Sequence, residues 1–327
     1  MAEQVLPGLY RSEIPLPKSP LKAVNSYLIK GQERSLIIDT GMNREECMGP
    51  MLAALEELDV DLNKTDFFIT HLHADHLGLV GNLATETSKV YFSEVEASVM
   101  NHEGEKREER FAEMFTFYRS HGFPEDEIKK ALQGHPGYRY SSRRKLEFSV
   151  LKEGDTIDVG DYSFRCIETP GHSPGHMCLY EASKKILVSG DHILIDITPN
   201  ITCWPQLENA LKAYLANLEK VYSLEVNLVL PGHRNLWDDH RRRITELQEH
   251  HKRRLAETVA ALEEGDKTAW EVASYITWDI DVSSWELFPP VQKWFAIGET
   301  IAHLNYLEAD GRIRRKTEDH QVLFSLE

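Results

Sequence analysis

The stretch that most constrains this chain is DFFITHLHADHLG, Asp66 to Gly78, in which His71, His73, Asp75 and His76 occupy four of the six positions 71–76. Phe67, Phe68 and Ile69 give its start the aromatic and β-branched character of a short buried strand over Asp66–Thr70, so the candidate ligands begin where a strand stops. Imidazole and carboxylate together, with no thiolate, suit Zn2+, Fe2+ or Mn2+ and argue against a structural Cys site. A polar loop of solvated histidines is the bland reading, and the density of ligand-type side chains disfavours it.

Upstream, Val24–Ile29 and Ser35–Asp39 read as strands around a polar turn, and Glu45–Leu58 has helical spacing in Met48, Met51, Leu52, Leu55 and Leu58. Strand, helix and strand leading up to the histidines make an α/β layout. Asp39, at a strand end, either orients a metal-bound histidine or only caps the turn at Gly41. Downstream, Leu77–Glu86 reads as a helix and Lys89–Ser93 as a strand. From about 94 to 145 the chain turns charged, with helical runs at Glu108–Ser120 and Pro124–Leu132 and a loop-like GHPGYRYSSRR, as an insertion would. Phe111, Met114, Phe115 and Tyr118 form one helical stripe there, suited to packing or to a lid over a substrate pocket.

From Leu146 short β-rich runs return. Tyr162–Thr169, Ile186–Ser189 and Asn227–Leu230 each stop at a Gly-containing turn that delivers His172, Asp191 and His233. With the 71–76 cluster, four strand ends present His or Asp, which is how a rigid sheet edge holds several ligands. His176 and His192 each stand one short step from a proposed ligand and suit a supporting or core role better than direct coordination. His102, His121, His135, His250, His251, His303 and His320 have no ligand-like setting and read as solvated or packing residues.

Composition narrows the partners. Lys plus Arg is 37 against 53 Asp plus Glu, a formal net charge of −16, which would repel a polyanion and disfavours nucleic-acid binding by charge alone. The N-terminus has no basic segment followed by an apolar one, and no run reaches the length of a transmembrane helix, so a cytoplasmic location with no membrane partner is expected. Cys47, Cys166, Cys178 and Cys203 lack CxxC spacing and are assigned no chemistry. Oligomeric state leaves no trace in the sequence.

HLHADH fits the signature HxHxDH, and TPGHSPGH at Thr169–His176, SGDHI at Ser189–Ile193 and PGH at Pro231–His233 follow it in order. On these motifs, over roughly Leu6–Arg241 apart from the insertion, the chain resembles the metallo-β-lactamase superfamily, especially its glyoxalase II-like hydrolases. The resemblance implies an αββα sandwich, two mixed sheets face to face with helices outside. It also implies one metal on His71, His73 and His172 and a second on Asp75, His76 and His233, with Asp191 bridging. That makes two divalent ions per chain, Zn2+ first, with Fe or Mn as alternatives. Asp191 stands where some lactamases of the superfamily carry Cys, which disfavours a dedicated β-lactamase. Leu79 departs from the second Gly that many members have after DHxG.

In the tail, Arg241–Leu262, Thr268–Tyr275 and Pro290–Leu307 read as helices, followed by a turn, a strand, a polar turn and a strand. Three helices and a hairpin resemble the small winged-helix domain found after some lactamase-fold hydrolases. The expected organisation is a catalytic domain over 1–245, with the insertion at about 94–145, and a winged-helix-like domain over 246–327. A winged helix can enter a major groove, and Arg312, Arg314, Arg315 and Lys316 could line its wing. Residues 240–327, however, carry 12 Lys plus Arg against 16 Asp plus Glu, and Lys293 is the one Lys or Arg on the presumed recognition helix. Packing against the catalytic domain, or walling its pocket, is the favoured use.

Two divalent ions lower the pKa of a shared water toward ~7 and polarise the attacked oxygen, so hydrolysis needs no Ser or Cys nucleophile. The expected function is hydrolysis of a small thioester, lactone or carboxylic ester by a bridging hydroxide, with Asp75 as the catalytic residue that also orients it. An RNA phosphodiesterase or endoribonuclease is the alternative, because some winged-helix relatives cleave RNA. The complete ligand set disfavours a regulatory protein with a vestigial site, and the chain lacks the flavodoxin domain of a flavo-diiron-type reductase.

Overall fold

Period-two alternation sorts the strands into layers. The computed structural model describes residues 2–103, 107–142 and 144–327, with the side chains of 102, 103, 107, 108, 110 and 111 outside the description. Strands β1 (Glu3–Leu6), β2 (Leu9–Pro15), β3 (Ala23–Ile29) and β4 (Ser35–Ile38) lead to helix α1 (Glu45–Glu57) and strand β5 (Thr65–Phe68). Two single-turn helices, α2 (Ala74–Leu77) and α3 (Val80–Leu83), precede β6 (Val90–Ser93). Helices α4 (Glu94–Glu103), α5 (Arg107–Ser120), α6 (Glu125–Gly134) and α7 (Pro136–Tyr140) then separate β6 from β7 (Ser149–Leu151). These strands form a seven-stranded sheet in sequence order, antiparallel from β1 to β4 and parallel from β4 to β7.

Strands β8 (Thr156–Val159), β9 (Tyr162–Glu168), β10 (Met177–Glu181) and β11 (Ile186–Gly190) run antiparallel, and after helix α8 (Ala210–Tyr222) strand β12 (Leu228–Pro231) joins β11 in parallel to complete a five-stranded sheet. Leu36, Ile38 and Phe68 of the first sheet face Cys166, Leu179 and Val188 of the second. Their chain neighbours Ile37 and Phe67 point the other way, onto α1 to α3. Ile167, Cys178 and Leu187 likewise turn outward, onto α8 and the helix that follows β12. Each fully buried residue of this kind stabilises the layers by roughly 1.5–3 kcal/mol, and the result is the expected αββα sandwich.

The C-terminal part consists of α9 (His240–Leu262), α10 (Ala269–Tyr275), α11 (Pro290–Ala309) and the hairpin of β13 (Ile313–Glu318) and β14 (Gln321–Leu326). Thr268 begins α10 with a capping box closed by Glu271, which satisfies donors at the helix start. The 94–145 segment packs onto this part. Tyr118 lies on Trp294 with ring centroids 3.9 Å apart, Phe123 stacks on Trp270 at 5.1 Å, and Lys293 Nζ meets Glu127 Oε2 at 3.3 Å. Met114 and Phe115 join the same core, so three residues of the expected stripe are packing residues, while the Phe111 side chain lies outside the description.

Two expectations are corrected. The helix expected over Leu77–Glu86 is broken, because the Leu79 N–H donates to the Gly41 carbonyl at 2.9 Å instead of continuing the ladder, and the backbone turns extended at Ala84. Within the loop-like GHPGYRYSSRR, Pro136 at a first helical position starts the one-turn helix α7, its missing N–H costing nothing there. Among the described residues, no helix is long and apolar enough to cross a membrane.

Candidate metal centre

The loops after β4, β5, β9, β11 and β12 meet at one end of the sandwich. Parallel pairing arranges this. Ile38 lies opposite Phe68, so Asp39 and the chain toward His71 leave the first sheet side by side, and Gly190 opposite Pro231 does the same for Asp191 and His233. His73 stands at the cap position of α2 with extended backbone, and the single turn of α2 then carries Asp75 and His76.

His71, His73 and His172 converge. His71 Nε2 lies 2.9 Å from His73 Nδ1, and His172 Nε2 lies 3.3 Å from the first and 3.0 Å from the second. Asp75, His76 and His233 form an adjoining group, with His233 Nε2 3.4 Å from Asp75 Oδ2. Asp191 stands between the groups, its Oδ2 3.6 Å from His172 Nε2 and 3.4 Å from His233 Nε2, its Oδ1 3.5 Å from His76 Nε2. His76 Nε2, His233 Nε2 and Asp191 Oδ1 are buried without a hydrogen-bond partner. Buried orphans of this kind are rare in proteins, and here they all belong to a set of metal-type donors.

The outward nitrogens are anchored. His71 Nδ1 meets Thr70 Oγ1 at 3.0 Å, His76 Nδ1 meets Asp39 Oδ2 at 2.7 Å, His172 Nδ1 donates to the Asn200 carbonyl at 2.8 Å, and His233 Nδ1 donates to the Ala23 carbonyl at 2.6 Å. Fixing Nδ1 turns Nε2 toward the centre and sets the ring angle, as partners of metal-bound histidines do. Asp39 also accepts from the Thr70 N–H and hydroxyl at 2.9 Å each. His176 serves Asp191, its Nε2 accepting the Asp191 backbone N–H at 3.1 Å. His192 is fully buried, with neither ring nitrogen bonded.

Charge divides the donors. Burial and repulsion among the rings push His71 and His172 below the usual imidazole range and His73 down to about 3, so these three offer neutral lone pairs. Burial opposes charge on His233 as well, yet Asp191 and Asp75 lift it to about 10, and Asp39 leads the carboxylates that raise His76. The carboxyls of Asp75 and Asp191 are held below their usual range by those histidines, against burial. Buried carboxylates thus call for positive charge at the place where bare nitrogens converge, which fits divalent cations.

Glycine makes room. A Cβ on Gly232 would lie 2.4 Å from Asp191 Oδ1 and 2.8 Å from His76 Cε1, and one on Gly190, at φ +48°, would lie 2.7 Å from His176 Nε2. Two supporting residues escape sequence reasoning. Glu96 on α4 is fully buried and accepts from the Leu72 N–H at 3.1 Å, the Gly175 N–H at 2.9 Å and the Ser173 hydroxyl, tying the 71–76 loop to the 172–176 turn. Asn200 contributes only a carbonyl to its histidine. Neither carries a local signal, since Glu96 sits in a charged helical segment and any loop residue has a carbonyl.

His250 and His251, read as solvated or packing residues, also bring ring nitrogens within 4.8 Å of a Glu299 oxygen. Arg254 Nη1 already holds that carboxylate at 3.1 Å, and a guanidinium there opposes a cation.

Residues 20–233 match the family model of the metallo-beta-lactamase superfamily, and residues 255–325 that of the metallo-beta-lactamase-like C-terminal domain. The chain belongs to the metallo-β-lactamase superfamily and is a hydrolase of that class. It is similar over 99% of its length to all of a metallo-beta-lactamase family protein from Thermus thermophilus, with 31% identity and a TM-score of 0.83. A beta-lactamase domain protein from Burkholderia ambifaria shares the fold, with a TM-score of 0.79 at 24% identity over 99% of this chain and 94% of that one. The acyl-coenzyme A thioesterase MBLAC2 of Homo sapiens is 28% identical over 228 residues, 64% of this chain and 73% of that protein.

Proposed function

We propose that this hydrolase is a glyoxalase II-like, binuclear metal-dependent enzyme that cleaves a small acyl thioester, with lactones and carboxylic esters as the neighbouring substrate class. One observation carries the reading: seven donors from four loops converge at one edge as two groups with Asp191 between them. In it, His71, His73 and His172 would hold one ion and Asp75, His76 and His233 the other, with Asp191 available to both groups. Bound there, two divalent ions, Zn2+ first with Fe or Mn as alternatives, supply Lewis acidity and a water acidic enough to attack at neutral pH. Asp39 and His176 orient His76 and Asp191. Asp75 would accept a hydrogen bond from the attacking water and orient it toward the carbonyl carbon. Trp204 is half-buried with its ring 6.0 Å from that of His73, where it would flank a substrate bound at that histidine. A thiolate leaves without a proton, which suits a site whose imidazoles nearest the opening are neutral. The resemblance to a thioesterase supports the same substrate class.

The C-terminal part, over 246–327 in this reading, is a winged-helix-like unit that packs on the catalytic domain over 1–245, and α9 runs across that boundary without a break. Several of its cations are engaged. Lys293 is 5% exposed and faces Glu127, Arg315 meets Glu308, and Lys316 meets Asp266 at 2.8 Å. A small-molecule substrate in the cytoplasm, with no nucleic acid or membrane, goes with this. Metal-stripped protein reloaded with Zn2+ tests it: acyl-coenzyme A thioesters should turn over only after reloading. RNA cleaved while thioesters and lactones stay intact would put the phosphodiesterase in its place.

A further inference from the structure

His172 takes its orientation from outside the two sheets. Its Nδ1 donates to the Asn200 carbonyl at 2.8 Å, so the ring angle follows wherever the loop between β11 and α8 puts one oxygen. That loop is held from the C-terminal part. Asn200 Nδ2 donates to Glu299 Oε2 at 2.8 Å and to the Phe295 carbonyl at 3.3 Å, both on α11. Helix α11 reaches the loop because residue 298 is Gly; a Cβ there would lie 2.2 Å from Thr202 Oγ1.

Glu299 is itself fixed. Its other oxygen accepts from Arg254 Nη1 at 3.1 Å, and both residues are 6% exposed. Arg254 donates in addition to the Thr277 carbonyl at 3.1 Å and lies 4.1 Å from the centroid of the Trp278 ring. A buried ion pair explains little as a stabiliser, since apolar replacements of similar shape are often neutral or better. It is explained if what it secures is position: Arg254, gripped on three sides, holds the carboxylate where it accepts from Asn200.

We propose that Glu299, held by Arg254, is a positioning residue for the ligand histidine His172, so that the C-terminal part sets the metal affinity of the His71, His73 and His172 group. This rests on the binuclear reading of the centre. The chain of contacts is continuous, from Arg254 through Glu299 and Asn200 to the imidazole, and partners of this kind typically tune metal affinity by about 10–100-fold.

The test uses the full-length protein, with Zn2+ affinity read by competition against a chromophoric chelator and ligand geometry by the visible absorption of Co2+-substituted protein. Asn200→Ala keeps the carbonyl that His172 needs and removes the side chain that reaches α11. Glu299→Leu with Arg254→Met removes both charges at once. Each should weaken one of the two ions by about 10–100-fold and shift the Co2+ spectrum, with the other ion unchanged. Glu299→Gln in the Arg254→Met background restores an acceptor for Asn200 and should recover the affinity. Wild-type affinities and an unchanged spectrum in both Asn200→Ala and the Leu/Met variant would overturn the coupling; if the Leu/Met variant does not fold, Asn200→Ala decides alone. Wild-type protein that binds no ion would remove the binuclear reading itself, a different failure from two ions held equally well by every variant.

Discussion

At the end of the sandwich, His71, His73 and His172 aim bare nitrogens at one point beside the buried carboxylates of Asp39, Asp75 and Asp191. In the C-terminal part, His251 and His303 are just as buried, but they bond to each other at 3.1 Å and the neighbouring Glu299 faces Arg254. The contrast separates what looks alike in composition. Density and burial of imidazoles do not make a metal centre. Convergent imidazoles, with carboxylates whose partners are themselves metal-type donors and no guanidinium, are what a candidate centre requires.

The largest effect that tests this contrast comes from His73→Ala, expected to drop turnover to background and to cost one bound ion per chain by elemental analysis. His250→Ala, in the other cluster, should change neither; an equal loss from both would erase the distinction. Gly232→Ala pushes a methyl group into Asp191 and His76, and should lower kcat/KM by about 10–100-fold while circular dichroism stays native.

Acid separates the clusters further. Burial pushes His303 down to about 3, so below about pH 6.5 the unfolded chain takes up a proton that the folded ring refuses. Stability is then lost as pH falls from about 6.5 toward 3, roughly 2 kcal/mol of it between pH 7 and 5. Urea titrations should show His303→Gln losing less than wild type over that range, and equal losses would mean the ring is not held neutral. Smallest is Thr268→Ala, which removes the capping box of α10 and should cost about 1 kcal/mol with metal content unchanged.

The candidate ligands were legible because each stands at the end of a strand that a short apolar run announces. His172, Asp191 and His233 follow β9, β11 and β12 directly, and Asp39 follows β4. What stayed hidden depends on contacts far along the chain. Glu96 reaches Ser173 across 77 residues, and Asn200 reaches Glu299 across 99. The break after Leu77 was hidden for the same reason, because the carbonyl that diverts the Leu79 N–H belongs to Gly41. The first hairpin, β1 and β2, also passed unread; β1 is exposed to half-buried and shows no clean alternation. The C-terminal helices were readable from their spacing, but their bearing on His172 was not.

The candidate ligand set is divided between the two sheets: His71, His73, Asp75 and His76 follow a strand of the first, and His172, Asp191 and His233 follow strands of the second. Ions bound across that seam would rivet the layers together, and ion in thousandfold excess over its dissociation constant would add about 4 kcal/mol to the fold. Under chelation the seam is the natural first place for proteases to gain entry. The lifetime of this protein in a cell, and not only its rate, would then follow the supply of metal.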